Sequence, residues 1–305
     1  MSRQWDADID ITETMVQEVL SSQFPELLPA RVELLDAGWD NFVFIVNQIY
    51  VFRFPRRKIA VELIEMENQL LPWLAPQLPV MIPNPRFMGG QSSLYPFSGY
   101  LKIDGIVPYR VHLTDEQRTK AAHPLARFLR ALHTLDTEQA IAHRIAASDT
   151  IFRLDTKKRI PQLVERINEA RKKGLIRETG PMLAFLEDLT DMPLRTAHRR
   201  TVVHGDLNFR NFLITKNGDL TGVIDWGDAH IGHPAVDLAL TYTYLPRSSH
   251  HEFFSVYGSV DSETELLARF RALYMSFLIL IYAHEIGDER QLLEAQWSIS
   301  NLSMR

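Results

Sequence analysis

Three side chains in the stretch 202–238, VVHGDLNFRNFLITKNGDLTGVIDWGDAHIGHPAVDL, have types and spacing that suit phosphoryl transfer. Asp206 is followed five residues later by Asn211, and Asn211 fourteen residues later by Asp225. A carboxylate and an amide oxygen are hard donors of the kind Mg²⁺ takes together with substrate phosphates. Asn211 and Asp225 are therefore candidate metal ligands. Asp206 is the candidate base that accepts a hydroxyl proton and aims the oxygen at a terminal phosphorus. Such a reaction asks little covalent chemistry of a protein, because positioning and charge neutralisation carry it. Singly, Asp206 and Asn211 could be turn residues and Asp225 a helix cap; the three in one frame are far more specific than any one of them.

The elements that must position them are short. Residues 201–203 form a β-branched run fit for a buried strand end, broken by Gly205, which permits a sharp turn. Residues 212–214 and 220–224 are apolar runs on either side of Asn217-Gly218, the strongest two-residue hairpin signal. The expected hairpin carries Asn211 at its entrance and Asp225 at its exit, with Asp206 on the loop before it.

With His204-Gly-Asp206, Asn211, Ile224-Asp225-Trp226, Gly232-His-Pro234 and Asp237 in place, the chain resembles the aminoglycoside phosphotransferase family, which includes macrolide phosphotransferases and is distantly related to protein kinases. The resemblance extends over nearly the whole chain. It implies an α+β, bilobal, protein-kinase-like fold: a small β-rich N-lobe with one helix at 1–101, a larger helical C-lobe at 102–305, and a hinge near 100–105. It implies transfer of the γ-phosphate of GTP or ATP, with one or two Mg²⁺ ions, to a small-molecule hydroxyl. Asp237 resembles the family's buried aspartate that braces the catalytic loop. The GWDN turn at 38–41 and the FRFPRR segment at 52–57 look like those of macrolide and gentamicin-class phosphotransferases. Gly38 then lies over the nucleotide phosphates, though an ordinary hairpin turn reads the same way. Arg53 stands where the third strand of a kinase carries its phosphate-binding lysine, and Glu67 on the helix at 59–74 matches the glutamate that braces that cation. An arginine keeps the charge but is bulkier than lysine; a surface arginine on an edge strand is the alternative. Leu101 and Ile103 are the expected backbone contacts to the base.

Composition sets the surroundings. The 305 residues are 46% hydrophobic and 23% charged, enough for a sizeable core and two lobes. A net charge of −5 gives no global basic field for nucleic acid. Without cysteine there are no disulfides and no thiolate metal sites. Residues 1–10 lack the apolar core of a signal peptide, and the apolar stretch 273–283 is too short to span a bilayer. The expectation is a cytoplasmic protein, monomer or weak dimer, with no membrane partner. Helices are expected at 10–24, capped by Asp10, and at 121–135, 160–173, 181–189, 235–244, 263–283 and 290–297, with a capping box opening at Thr114. His133 reads as a packed or surface histidine.

The acceptor pocket in this family is built from the large lobe's helices. Candidates are Asp228, Glu263, Glu265, Glu285, Asp288 and Glu289, interleaved with Phe277, Leu280, Tyr282 and Trp297. Of these, Asp228, Glu263, Glu285 and Tyr282 are the expected substrate contacts. An acidic pocket would suit an aminoglycoside and a broad apolar one a macrolide. The expected acceptor is an antibiotic hydroxyl, on a macrolide or an aminoglycoside; a metabolic kinase acting on choline, homoserine or a sugar is the alternative, and a non-catalytic nucleotide-binding scaffold, prompted by Arg53, a third.

Overall fold

The computed structural model describes residues 8–37, 40–91, 94–190 and 200–302. Gly38, expected over the phosphates, lies outside the described residues, as does most of the stretch in which no leader was read. The chain divides into two compact units. The first runs to Asp104 and is joined by Ala142–Ile145; the second comprises Gly105–Ile141 and everything from Ala146 onward.

The first unit is an antiparallel sheet. Its strands are β1 (Val32–Ala37), β2 (Asn41–Val46), β3 (Tyr50–Pro55), β4 (Phe87–Gln91) and β5 (Leu94–Leu101), in the order β1-β2-β3-β5-β4. Alternation along β3 decides which face each residue serves. Phe52 and Phe54 are fully buried in an aromatic core with Phe44, Phe97 and the apolar stripe of helix α1 (Glu13–Gln23). Arg53 turns the other way, toward helix α2 (Ile59–Leu74). The cap of α1 is Thr12, whose hydroxyl accepts the Met15 N–H at 3.3 Å, rather than the expected Asp10. Threonine at the last extended position sits at the right distance for the free N–H groups, and Asp10 is two residues too early. The turn at 56–58 is tied down: Arg57 pairs with Asp40, and Arg56 lies 4.7 Å from the Phe42 ring centroid.

The second unit is mainly helical. Its helices are α3 (Asp115–Thr119), α4 (Ala122–His133), α5 (Thr137–Ala142), α6 (Thr156–Lys172), α7 (Gly180–Thr190), α8 (Ala235–Tyr244), α9 (His250–Tyr257), α10 (Ser262–Ile286) and α11 (Glu289–Asn301). Both halves of the expected capping box form at Thr114 and Gln117. Two small ribbons lie among the helices: β6 (Thr201–Val203) with β9 (His230–Gly232), and β7 (Phe212–Ile214) with β8 (Leu220–Val223). Helix α10 is longer than its apolar run suggested. An 18-residue window of it has mean hydropathy 1.6, but 72% of that window is buried inside the protein. It packs on α6, α8 and α11, so its apolar surface belongs to the core. Arg118 and Glu294, both nearly inaccessible, join α3 to α11 through two hydrogen bonds of 2.6 and 2.7 Å.

Candidate active site

The loop between β6 and β7 is held from below by one carboxylate. Asp237, fully buried in the first turn of α8, accepts the backbone N–H of His204 on Oδ2 at 2.7 Å and that of Gly205 on Oδ1 at 3.0 Å. His133 Nε2 lies 3.2 Å from the same Oδ2, and its Nδ1 lies 2.8 Å from the Tyr257 hydroxyl. His133 is thus packed, as one of the two expectations had it, and serves as a strut. Burial alone would raise the Asp237 carboxyl, but the hydrogen bond and charge of His133 and the His204 bond outweigh it and hold the group below the usual carboxylate range. Gly205 has φ +88, and a Cβ there would meet the Asp228 carbonyl oxygen at 2.1 Å, so no other residue fits the turn.

His204 fixes the turn a second time. Its Nδ1 accepts the Asp206 N–H at 3.3 Å, which leaves Nε2 to donate to the Ile224 carbonyl at 3.0 Å. The loop that carries Asp206 is thereby bonded to the exit of the hairpin. The loop also bonds itself. Asn208 Nδ2 donates to the Asp206 carbonyl at 2.9 Å, and Asn211 Nδ2 to the same carbonyl at 2.7 Å and to Asp206 Oδ2 at 2.9 Å. The Ile224 N–H donates to the Asn211 carbonyl at 2.9 Å, closing the hairpin just before Asp225. The hairpin turn is not the two-residue kind. Gly218 N–H bonds the Thr215 carbonyl at 3.0 Å and Gly218 has φ +93, the wider loop that ends in a left-handed glycine.

Asp206, Asn211 and Asp225 thus gather at one edge. Asn211 is buried, and 30% of the Asp206 side chain is exposed. Asp225 is exposed and holds a backbone φ of +66, which is uncommon outside glycine and concentrates at functional positions. Burial first, then the negative charges of Asp228 and Asp225, push the Asp206 carboxyl up to about 6 against the pull of Arg271. Because Asn211 Nδ2 is used on Asp206, its Oδ1 is the atom available to a cation. With the Asp225 carboxylate it makes a two-oxygen set that suits Mg²⁺ completed by phosphate oxygens. Among the described residues no three His, Cys, Asp or Glu form a metal-binding group.

Arg271 was not picked out in the sequence. It is buried on α10 with its Nη2 4.0 Å from Asp206 Oδ1. Burial lowers its pKa to about 10, so it remains charged at neutral pH. The signal available was a single arginine in the apolar run FRALYMSFLILIYA at 270–283, since a buried charge needs a reason. Arg153 is also buried; it pairs with Asp149 at 2.6 Å and with Asp228.

The remaining expected contacts are dispersed. Asp228 is exposed and pairs with Arg153. Tyr282 lies under Arg210 of the loop between β6 and β7, 5.3 Å from ring centroid to guanidinium. Glu263 and Glu285 stand eight residues before and fourteen after Arg271 on α10, about 12 and 21 Å along its axis at 1.5 Å per residue. Asp288 caps α11 through the Gln291 N–H at 3.0 Å. In the first unit, Arg53 Nη1 donates to Glu67, and both are largely buried. The Lys102 N–H donates to the Ile49 carbonyl at 2.7 Å. Alternation then turns the backbone groups of Leu101 and Ile103 away from β3, beyond the Phe87–Gly99 pair where the β4 ladder stops.

A strand unit in which a helical glutamate holds the third-strand cation, and a helical unit with an Asp-x₄-Asn loop leading into a hairpin that ends in Asp225, together define a kinase-like phosphotransferase. A sequence model of the phosphotransferase enzyme family matches residues 31–273, and the chain belongs to that family. Its fold is similar to that of an aminoglycoside 2'-phosphotransferase-IIIa solved with GDP, at 24% identity and TM-score 0.69 over 95% of this chain and 98% of the other. It is similar to a macrolide 2'-phosphotransferase from Brachybacterium faecium, at 21% identity and TM-score 0.60 over 94% and 97%. It is also similar to an APH(2'')-IIa solved with streptomycin and ATP, at 20% identity and TM-score 0.59 over 95% and 99%.

Proposed function

We propose that the chain transfers the γ-phosphoryl group of GTP or ATP to a hydroxyl of a free small molecule, with Asp206 as the base. Asp206 takes the hydroxyl proton as the acceptor oxygen bonds to phosphorus. The bond from phosphorus to the bridging oxygen breaks, the nucleoside diphosphate leaves, and the carboxyl proton passes to solvent. Asn211 and Asp225 would hold Mg²⁺, which supplies charge neutralisation at the phosphates when bound. Arg53, braced by Glu67, takes the α- and β-phosphates, and the backbone of Leu101 and Ile103 takes the base. The observation that carries this reading is the fixing of Asp206 against Asn211 by a loop held at its start to Asp237 and, through the His204 ring, to Ile224, and at its end by the Ile224 N–H on the Asn211 carbonyl. The Arg53–Glu67 pair speaks against a non-catalytic scaffold, because the substituted cation keeps its brace.

The acceptors named for the structural relatives, aminoglycosides and macrolides, are the first candidates for the hydroxyl. A metabolite acceptor is the second reading, favoured by Arg271, whose charge lies 4.0 Å from Asp206 and would repel a cationic acceptor. We place the reaction in the cytoplasm, by a monomer or weak dimer without nucleic-acid or membrane partners. The test is nucleotide consumption and acceptor phosphorylation by purified protein with Mg²⁺ and either nucleotide. Equal rates for parent and Asp206→Ala would reject the base, and unchanged Mg-dependent nucleotide binding by Asp225→Ala would move the metal elsewhere.

A further inference from the structure

Helix α6 packs against α10, and Tyr274 of α10 lies at their junction, buried to 4% exposure. Three guanidinium groups surround its ring: Arg166 at 4.7 Å, Arg159 at 5.4 Å and Arg271 at 5.9 Å from the centroid. Arg159 Nη1 donates to the Tyr274 hydroxyl at 3.1 Å, which itself donates to Gln162 Oε1 at 2.9 Å. Burial would push the phenol up, but the hydrogen bonds and charges of Arg166 and Arg159 hold it below the usual tyrosine value.

The charges here do not balance as they do one step away. Arg153 has two carboxylates, Asp149 and Asp228. Arg271 has Asp206 at 4.0 Å and also feels the charges of Asp149 and Asp228. Among the described residues, neither Arg159 nor Arg166 has a carboxylate within ion-pairing distance. Arg166 Nη1 is buried without any hydrogen-bond acceptor. A guanidinium nitrogen removed from water and given no acceptor is costly unless something else supplies one. Arg159 is held by neutral acceptors alone, the Ile151 and Phe152 carbonyls, Gln162 and Tyr274. Two guanidinium charges without a carboxylate, beside a third that stands 4.0 Å from Asp206, make a poor seat for an amine and a better one for an oxyanion, whose paired oxygens match the guanidinium fork.

We propose that the acceptor of the phosphoryl group is itself an anion, a hydroxyl compound bearing a carboxylate or phosphate that docks on Arg159, Arg166 and Arg271 while its hydroxyl meets Asp206. This names the substrate class of the site and rests on the phosphoryl-transfer reading. Tyr274 follows Arg271 by one turn, about 4.5 Å along the helix, so the hydroxyl and the anionic group of the acceptor stand roughly 5–10 Å apart. Aminoglycosides and macrolides carry basic amines and would bring the wrong sign to this face.

The full-length protein with Mg²⁺ and GTP or ATP is assayed on acceptors matched by skeleton: gluconate against glucitol, glucose 6-phosphate against glucose, and homoserine against homoserinol, with kanamycin and erythromycin as cations. The expected result is a kcat/KM at least 100-fold higher for an anionic member than for its uncharged or cationic partner, with the gluconate and glucose 6-phosphate arms separating carboxylate from phosphate. Arg166→Gln should raise the KM for that acceptor at least tenfold with less than a threefold change in kcat, and Arg166→Lys should recover part of the loss. Arg159→Gln is an independent second variant should Arg166→Gln not fold. Preferred transfer to kanamycin, erythromycin or a neutral member, dependent on Asp206, would overturn the anionic acceptor and leave the phosphoryl-transfer reading standing. An unchanged KM in both glutamine variants would overturn it equally. No Asp206-dependent transfer to any compound would overturn both.

Discussion

Two buried arginines of the helical unit face carboxylates in different ways. Arg118 and Glu294 are closed on each other through two short hydrogen bonds, and Arg118 also lies 3.9 Å from the Trp297 ring centroid and 5.2 Å from that of Tyr244. Arg271 and Asp206 stop at 4.0 Å, beyond hydrogen-bond range, with the Asp206 carboxyl raised to about 6. In the closed pair each charge is used on the other, and it fastens α3 to α11. In the open pair both charges are left partly unsatisfied, and the carboxylate keeps an oxygen for something outside the protein. A gap of little more than an ångström separates a fastening from a reagent.

The largest effect falls on the open pair. Asp206→Ala should lower kcat by about 10²–10⁴-fold, the usual contribution of a positioned base, with little change in nucleotide affinity; steady-state kinetics and nucleotide titration check it. Glu294→Ala is the counterpart on the closed pair. It should cost about 3–5 kcal/mol of stability, because it strands a buried Arg118, while kcat/KM of the surviving folded protein stays near the parent value. Urea unfolding and kinetics together check it. If Glu294→Ala lowered kcat more than stability, the two pairs would not differ in the way the distances imply.

Asp237→Asn tests the support rather than the pair. It keeps one acceptor oxygen for the N–H groups of His204 and Gly205 and removes the charge. Hydrogen bonds to charged groups contribute about 1.5–3 kcal/mol, and a loss in that range is expected in unfolding experiments. The fall in kcat should be smaller than for Asp206→Ala, because the base is displaced and not removed. A variant of parental stability would show that the two backbone bonds are not what fixes the turn.

The closed and local features could be read in the sequence; the open and distant ones could not. Helices at 59–74 and 235–244 and the capping box at Thr114 have the predicted bounds because periodicity and caps are local. The gathering of Asp206, Asn211 and Asp225 was legible because one loop and one hairpin carry all three. Arg271 sits 65 residues beyond Asp206, on a helix buried nearly all round and so without a polar stripe to mark its functional side. His133 is 104 residues from Asp237. Nothing short-range says that α4 brings it beneath the loop. Strand β9 escaped for the same reason, as its three residues gain their partner only when the chain returns to β6, 27 to 31 positions earlier.

The smallest expected effect sharpens the comparison most, because it has the opposite sign. An unfolded aspartate titrates near 3.8, and the folded Asp206 near about 6. The native state therefore holds its proton more tightly than the unfolded state, and stability falls as pH rises through this interval. The full interval corresponds to about 3 kcal/mol at 1.36 kcal/mol per pH unit; with 30% of the side chain exposed, screening reduces this to about 1–2 kcal/mol. Asp206→Asn has no such proton and keeps an oxygen for the Asn211 amide. In EDTA, where no cation offsets the charge, it should be more stable than the parent by about 1–2 kcal/mol above pH 6.5, with the gain shrinking toward zero as the pH falls to about 4. Urea unfolding of both proteins at pH 4, 5 and 7.5 measures this. A variant less stable than the parent at pH 7.5 would mean that Arg271 holds Asp206 as firmly as Arg118 holds Glu294, and that the 4.0 Å gap closes in solution.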